Sequence, residues 1–170
     1  MKITLQSAAL AIAVSLAAHG AFAATSADAF VEDASAKGVA EVQAGKLAEE
    51  KGTAADVKSF AAMMVSDHTT ANDKLRAIAE QKTLKVSTDA QLMDKAKAMI
   101  LDLRTAKSFD QAYANNQVKA HEATIEIFED EIKNGDDADL KAFATQTLPT
   151  LKAHLEQAKA LAAAHGGDAK

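Results

Sequence analysis

The sequence predicts an all-α protein: a ferritin-like four-helix bundle with a short extra helix in the crossover between helices 2 and 3. Three observations carry that prediction. The chain of 170 residues has a single proline, Pro149, and is rich in Ala, Leu, Lys, Glu and Gln, which give up little freedom on entering a helix. Apolar residues recur every third or fourth position through four long segments, the spacing that gathers them on one face of a 3.6-residue turn. Two of the links between segments are very short, whereas the middle one can run the whole side of a bundle, which favours a crossover over simple up-and-down order.

Residues 1–23 read "MKITLQSAALAIAVSLAAHGAFA". Lys2, an apolar run from Ala8 to Ala18, and small residues at Ala21 and Ala23 have the layout of a secretory signal peptide, and the run is too short to span a membrane. Residues 24–170 are then expected to be one exported domain in the periplasm. No later apolar run approaches the ~20 residues of a transmembrane helix, and there is no cysteine for a lipid anchor or a disulfide. With Lys2 removed, 18 basic residues face 24 acidic ones, a net charge of −6. Interspersed charges of acidic balance, one tyrosine and no tryptophan exclude a nucleic-acid binder. An envelope protein partner and self-association both stay open.

The first long helix is expected over Ala27 to Lys51, stopped by Gly52. The second, Ala54 to Gln81, opens on "TAAD", in which Thr53 is the expected N-cap with Asp56 three residues on. After a crossover holding a shorter helix from Thr88 to Leu101, the third runs Phe109 to Asn134 behind Ser108 of "SFDQ". The fourth, Asp137 to Ala164, opens on "DDAD". Gly52 and Gly135 are expected to take the left-handed conformation that ends a helix. The short links make helices 1 and 2, and 3 and 4, antiparallel hairpins. "VKSFA" and "LKAFA" at the starts of helices 2 and 4 form a weak internal echo.

Polar residues interrupt each apolar stripe. Helix 2 runs Val57, Phe60, Met64, His68, Ala71, Leu75, Ile78. Helix 3 runs Val118, His121, Ile125, Phe128, Ile132, and helix 4 runs Leu140, Ala144, Thr147, Leu151, His154, Ala158, Leu161. Helix 1 gives Val31, Ala34, Gly38, Glu41, Gly45, Ala48, in which the two glycines either leave room above the carboxylate or let helices approach closely. Within each hairpin the two polar residues fall at levels differing by about five residues, roughly 8 Å at the helical rise. Glu41, His68, His121 and His154 can therefore share one central band.

Buried charge needs partners. Neutral imidazoles and a carboxylate are ordinary ligands for zinc, iron, manganese or copper, so these four residues form a candidate mononuclear metal site, with Asp67 and Glu122 as supporting or alternative ligands. Asp67 projects about 100° away from His68, so its partner is expected on a neighbouring helix. Tyr113 and Thr147 are candidate hydroxyl donors. The competing reading is a structural or interaction module of the envelope whose Glu/His layer only fixes helix register; a third is a metal-dependent oxidoreductase. A standard di-iron centre is excluded because Val65, Val118 and Leu151 stand where Glu-x-x-His would need glutamates. Ser66, Asp67 and His68 are consecutive on a helix, the wrong placement for a nucleophile, base and orienting acid, and no catalytic residue is assigned. His165 is expected in a frayed tail. Pro149 should free the Thr145 carbonyl and bend helix 4.

The stretches "AEVQAGKLAEEKG", "VKSFAAMMVSDHTTANDKL", "FDQAYANNQVKAHEATIEIFE" and "LKAFATQTLPTLKAHLEQAKAL" together resemble the bacterial family called domain of unknown function 4142, whose members are exported and often labelled outer-membrane proteins. The resemblance covers nearly all of the chain after the leader, in order. It implies a ferritin-like bundle and marks Glu41, Asp67, His68, His121 and His154 as family-pattern positions, with no reaction attached. An outer-membrane-spanning protein would need a closed β-barrel, which helical segments cannot form, so a periplasmic location is expected.

Overall fold

The computed structural model describes residues 26–84 and 108–166. The expected signal peptide and the expected short helix from Thr88 to Leu101 lie outside these residues. Four helices, α1 (Ala27–Lys51), α2 (Ala55–Gln81), α3 (Phe109–Asn134) and α4 (Ala138–Ala164), make up the described structure, and no strand occurs among the described residues. Among the described residues no helix is long and apolar enough to cross a membrane.

α1 packs along α2 and α3 along α4, and the α1–α3 and α2–α4 faces close the bundle. Contacts at the two ends set the directions. Phe30, near the start of α1, meets Phe128 late in α3 with ring centroids 5.3 Å apart. At the opposite end Thr53, just after α1, binds Asp110 at the start of α3. Lys82, which ends α2, reaches Asp137 and Asp139 at the start of α4 at 2.8 and 2.6 Å. Each helix thus runs antiparallel to its packed neighbours, so α2 and α3 are parallel and Leu84 and Ser108 stand at opposite ends. That is the crossover order of ferritin-like bundles.

The interior is two apolar clusters with a polar band between them. One end is packed by Leu47, Phe60, Met64, Tyr113, Val118 and Leu161. The other is packed by Phe30, Leu75, Phe128, Leu140, Phe143 and Leu151. The expected stripes all face inward, with Ala71, Ile78, Ile132 and Thr147 half-buried at their margins. Phe30, Ala44, Leu47 and Phe143 are buried as well, because a helix enclosed by two neighbours covers a wider arc than one seam.

Several local expectations give way to tertiary contacts. Thr53 does not cap α2: Ala54 is the N-cap, and the Asp110 carboxylate of α3 accepts from the backbone N–H groups of Thr53 and Ala54, both at 3.0 Å, and from the Thr53 hydroxyl. Ser108 likewise makes no side-chain cap. Asp137 does cap α4, accepting from the N–H groups of Asp139 and Leu140. Gly52 and Gly135 end their helices with φ of −58° and −62°, not in the left-handed region. Both are needed for space instead: a Cβ on Gly52 would stand 2.6 Å from the Ala48 carbonyl, and one on Gly135 would collide with the buried Glu131 carboxylate.

Gly38 and Gly45 resolve in favour of close packing. A Cβ on Gly45 would lie 2.8 Å from Val65 Cγ2 and 3.0 Å from the Ala61 carbonyl of α2, and one on Gly38 would run into the Asn72 side chain. His165 is not frayed; it forms the C-cap of α4 and its Nε2 lies 3.0 Å from Asp56 at the start of α2. α4 is continuous across Pro149, which with Thr145 faces solvent, where water can take the carbonyl that proline leaves without a donor.

Candidate metal centre

In the polar band α2, α3 and α4 each contribute one imidazole. His68, His121 and His154 occupy stripe positions otherwise held by Met64 and Leu75, Val118 and Ile125, and Leu151 and Ala158, and their rings are 6, 1 and 3 % exposed. The ring centroids form a near-equilateral triangle of 5.4, 5.5 and 5.6 Å. One ring nitrogen from each lies within 4.8 Å of the other two, and among the described residues this is the one group of histidines and carboxylates so arranged.

The hydrogen-bond partners assign most of the protons. His121 Nδ1 lies 2.9 Å from the Gln117 carbonyl oxygen, which can only accept, so Nδ1 carries the hydrogen and Nε2 the lone pair. His68 Nε2 lies 3.4 Å from that lone pair and is the donor of the contact. His154 Nε2 stands 3.0 Å from Asp67 Oδ2. Its other nitrogen, Nδ1, is buried with no hydrogen-bond partner.

Desolvation keeps the rings neutral. Burial pushes His68 down to about 3, helped by its two imidazole neighbours, and His121 down to about 4 against the opposing pull of the Gln117 carbonyl. His154 is lowered for the same reason, with Asp67 pulling the other way. At neutral pH the cluster therefore offers uncharged imidazole lone pairs, the form that binds transition metals.

The residues fit such an ion. Two nitrogens each ~2.05 Å from a tetrahedral metal stand roughly 3.3 Å apart, close to the 3.4 Å between His68 Nε2 and His121 Nε2. To offer both Nε2 lone pairs to an ion, His68 would carry its one hydrogen on Nδ1 instead of Nε2. Nitrogen separations of up to 4.8 Å require a closure of up to about 1.5 Å on the same distance argument.

The other predicted residues sort around this trio. Glu41 is 2 % exposed and in the same band, yet its Oε2 accepts from Gln117 Nε2 at 2.6 Å and it stands apart from the three nitrogens. Burial raises its carboxyl to about 7 against the lowering effect of that hydrogen bond. Gln117 thus joins carboxylate and cluster, its side chain on Glu41 and its carbonyl on His121. Sequence reasoning missed it, although Tyr113, Gln117, His121 and Thr124 continue one buried face of α3. Asp67 finds its partner on a neighbouring helix, as its direction required. Glu122 is half-buried and outside the trio. Tyr113 is buried with no partner for its hydroxyl, and the Thr147 hydroxyl donates to the Phe143 carbonyl at 2.8 Å.

Two cavities flank the band. A void of about 20 Å³, room for one water, touches His68, Gly38, Asn72, Thr124 and Thr147. A cleft of about 300 Å³ between α1 and α3 is lined by Asp33, Lys37, Glu41 and Thr124, so Thr124 borders both spaces.

Comparison with known proteins places the fold and the family. A solved structure described as CopM in the Cu(II)-bound form is similar over 81% of this chain and 95% of that chain, with a TM-score of 0.65 and 13% sequence identity. At that identity the likeness shows a shared helical-bundle fold. No curated protein matches the chain. The family model described as Domain of unknown function (DUF4142) matches residues 13–161, nearly the whole chain, which therefore belongs to that family.

Proposed function

We propose that this is an exported metal-handling protein that binds a transition-metal ion, copper foremost, through His68, His121 and His154. The observation that carries the reading is the convergence of three buried, neutral imidazoles whose nitrogens lie within 4.8 Å of one another. Imidazole suits copper, and copper stands at the top of the affinity order for nitrogen sites among the common divalent ions. A protein of similar fold has been solved in a Cu(II)-bound form. The signal-peptide pattern of residues 1–23 supports export to the periplasm. In this reading Glu41, tethered by Gln117, stands beside the site instead of bonding the ion directly.

The test is elemental analysis of the mature protein purified without chelators, followed by reconstitution with Cu(II) and with Zn(II). About one ion per chain is expected, and His68→Ala and His121→Ala should each reduce it while remaining folded by circular dichroism. Unchanged stoichiometry in both variants, or no ion bound after reconstitution, would overturn the proposal. The cluster would then be a register-fixing polar layer, for which the Asp67–His154 and His68–His121 contacts between helices are also suited.

A further inference from the structure

We infer that His154 presents Nδ1, not Nε2, as its metal-binding atom, and that Asp67 is the positioning residue that selects it. The metal-bound half of this inference rests on the function proposed above; the choice of tautomer does not.

A neutral imidazole has one N–H and one lone pair, on different nitrogens. An ionised carboxylate can only accept, so Asp67 Oδ2 at 3.0 Å obliges His154 Nε2 to carry the hydrogen. The lone pair is then on Nδ1. That atom is buried and meets no donor, and a buried acceptor left unmatched is unfavourable. A cation is the partner it lacks. His121 is wired the opposite way, with Nδ1–H on the Gln117 carbonyl and Nε2 free. The centre therefore has a mixed donor set, Nε2 from His121 and Nδ1 from His154.

Asp67 is placed for this task by the helix itself. It follows Ser66 and precedes His68 on α2, and the ~100° step between neighbours turns it from the core toward α4 while His68 points inward. Its side chain is 41% exposed, so the carboxylate keeps its contact with water and bonds the buried ring from the outside. A carboxylate that fixes the ring of a metal-binding histidine in this way commonly changes metal affinity 10–100-fold.

The experiment is long-range ¹H–¹⁵N NMR of the uniformly ¹⁵N-labelled mature protein, first metal-free and then loaded with Zn(II) as a diamagnetic probe. Without metal, His154 should show the Nε2–H tautomer and His121 the Nδ1–H tautomer. With zinc, the His154 Nδ1 resonance should move while Nε2 keeps its proton. Asp67→Ala should lose the single tautomer and weaken zinc binding by about 10–100-fold, whereas Asp67→Asn, whose carbonyl still accepts from Nε2–H, should restore the tautomer. A metal-free His154 with its hydrogen on Nδ1 overturns the inference even if zinc binds. Loss of the Nε2 proton on zinc loading overturns it and leaves the metal site standing. Failure to bind zinc or copper overturns the metal-bound half together with the proposed function, while the metal-free spectrum still decides what Asp67 does.

Discussion

Moving the metal-free protein from pH 7 to pH 5 should cost about 2 kcal/mol of folding stability, and Glu41→Gln should roughly double that loss. The two effects come from groups that titrate in opposite senses. His68 and His121 are held at about 3 and about 4 in the fold against 6.5 outside it. Below pH 6.5 the unfolded chain accepts protons that the folded one refuses, and stability falls wherever the unfolded state binds more protons as pH drops. At 1.36 kcal/mol per pH unit, each of these histidines forfeits about 2 kcal/mol between pH 7 and 5. Glu41 is raised from 4.5 to about 7, so across most of this window the folded state holds a proton that the unfolded state has released. Its contribution is full below 4.5 and fades as pH climbs through 7, which returns about 2 kcal/mol on acidification. His154, lowered like the other two, adds to the loss. Urea unfolding of chelator-treated wild type and Glu41→Gln at pH 7 and 5, at equal ionic strength, measures the difference, and titrations common to both proteins cancel. An acid loss in Glu41→Gln equal to or smaller than that of wild type would refute the opposed-titration account.

Perturbations at three other sites probe the frame around the band. Asp110→Ala removes the carboxylate that takes up two backbone donors at the start of α2, and should cost about 2 kcal/mol in urea unfolding, with Asp110→Asn losing less; a loss under about 0.5 kcal/mol would mean that water serves the helix start equally well. Gly45→Val places a branched side chain where a Cβ alone already stands 3.0 Å from the Ala61 carbonyl, and should lower stability by about 2 kcal/mol. Gly38→Ala requires the Asn72 side chain to swing aside, Cγ included, a clash with one side chain and no backbone, and should cost less than Gly45→Val, so thermal midpoints in the reverse order would contradict the close-approach account.

Periodicity made the helices and the inward faces of all three histidines legible in advance, because a stripe repeating every three or four residues can be satisfied only by turning toward a core. What stayed hidden was decided by residues far apart in the chain. The Thr53 motif has the composition of a cap, yet the cap comes from Asp110, 57 positions away. Glu41 faces inward as its spacing predicts, but a depth estimate of roughly 8 Å does not resolve which polar side chain it meets first. Gln117 intervenes at that scale. Gly52 and Gly135 show another limit: glycine at a helix end can answer a backbone angle or a steric approach, and composition does not distinguish them.

The proposed ligand set divides unevenly between the two hairpins, His68 on the first and His121 and His154 on the second. An ion bound as proposed would therefore clasp two halves of the chain that otherwise meet through packing, hydrogen bonds such as Thr53–Asp110, and the Lys82–Asp137 ion pair. Metal release and separation of the hairpins would become one linked event, and at a free-ion concentration a hundredfold above the dissociation constant the clasp would add about 2.7 kcal/mol. His68, as the first hairpin's one direct contribution, would be the hinge pin of that coupling. On the proposed reading, the supply of metal in the periplasm would then set how long the folded chain survives.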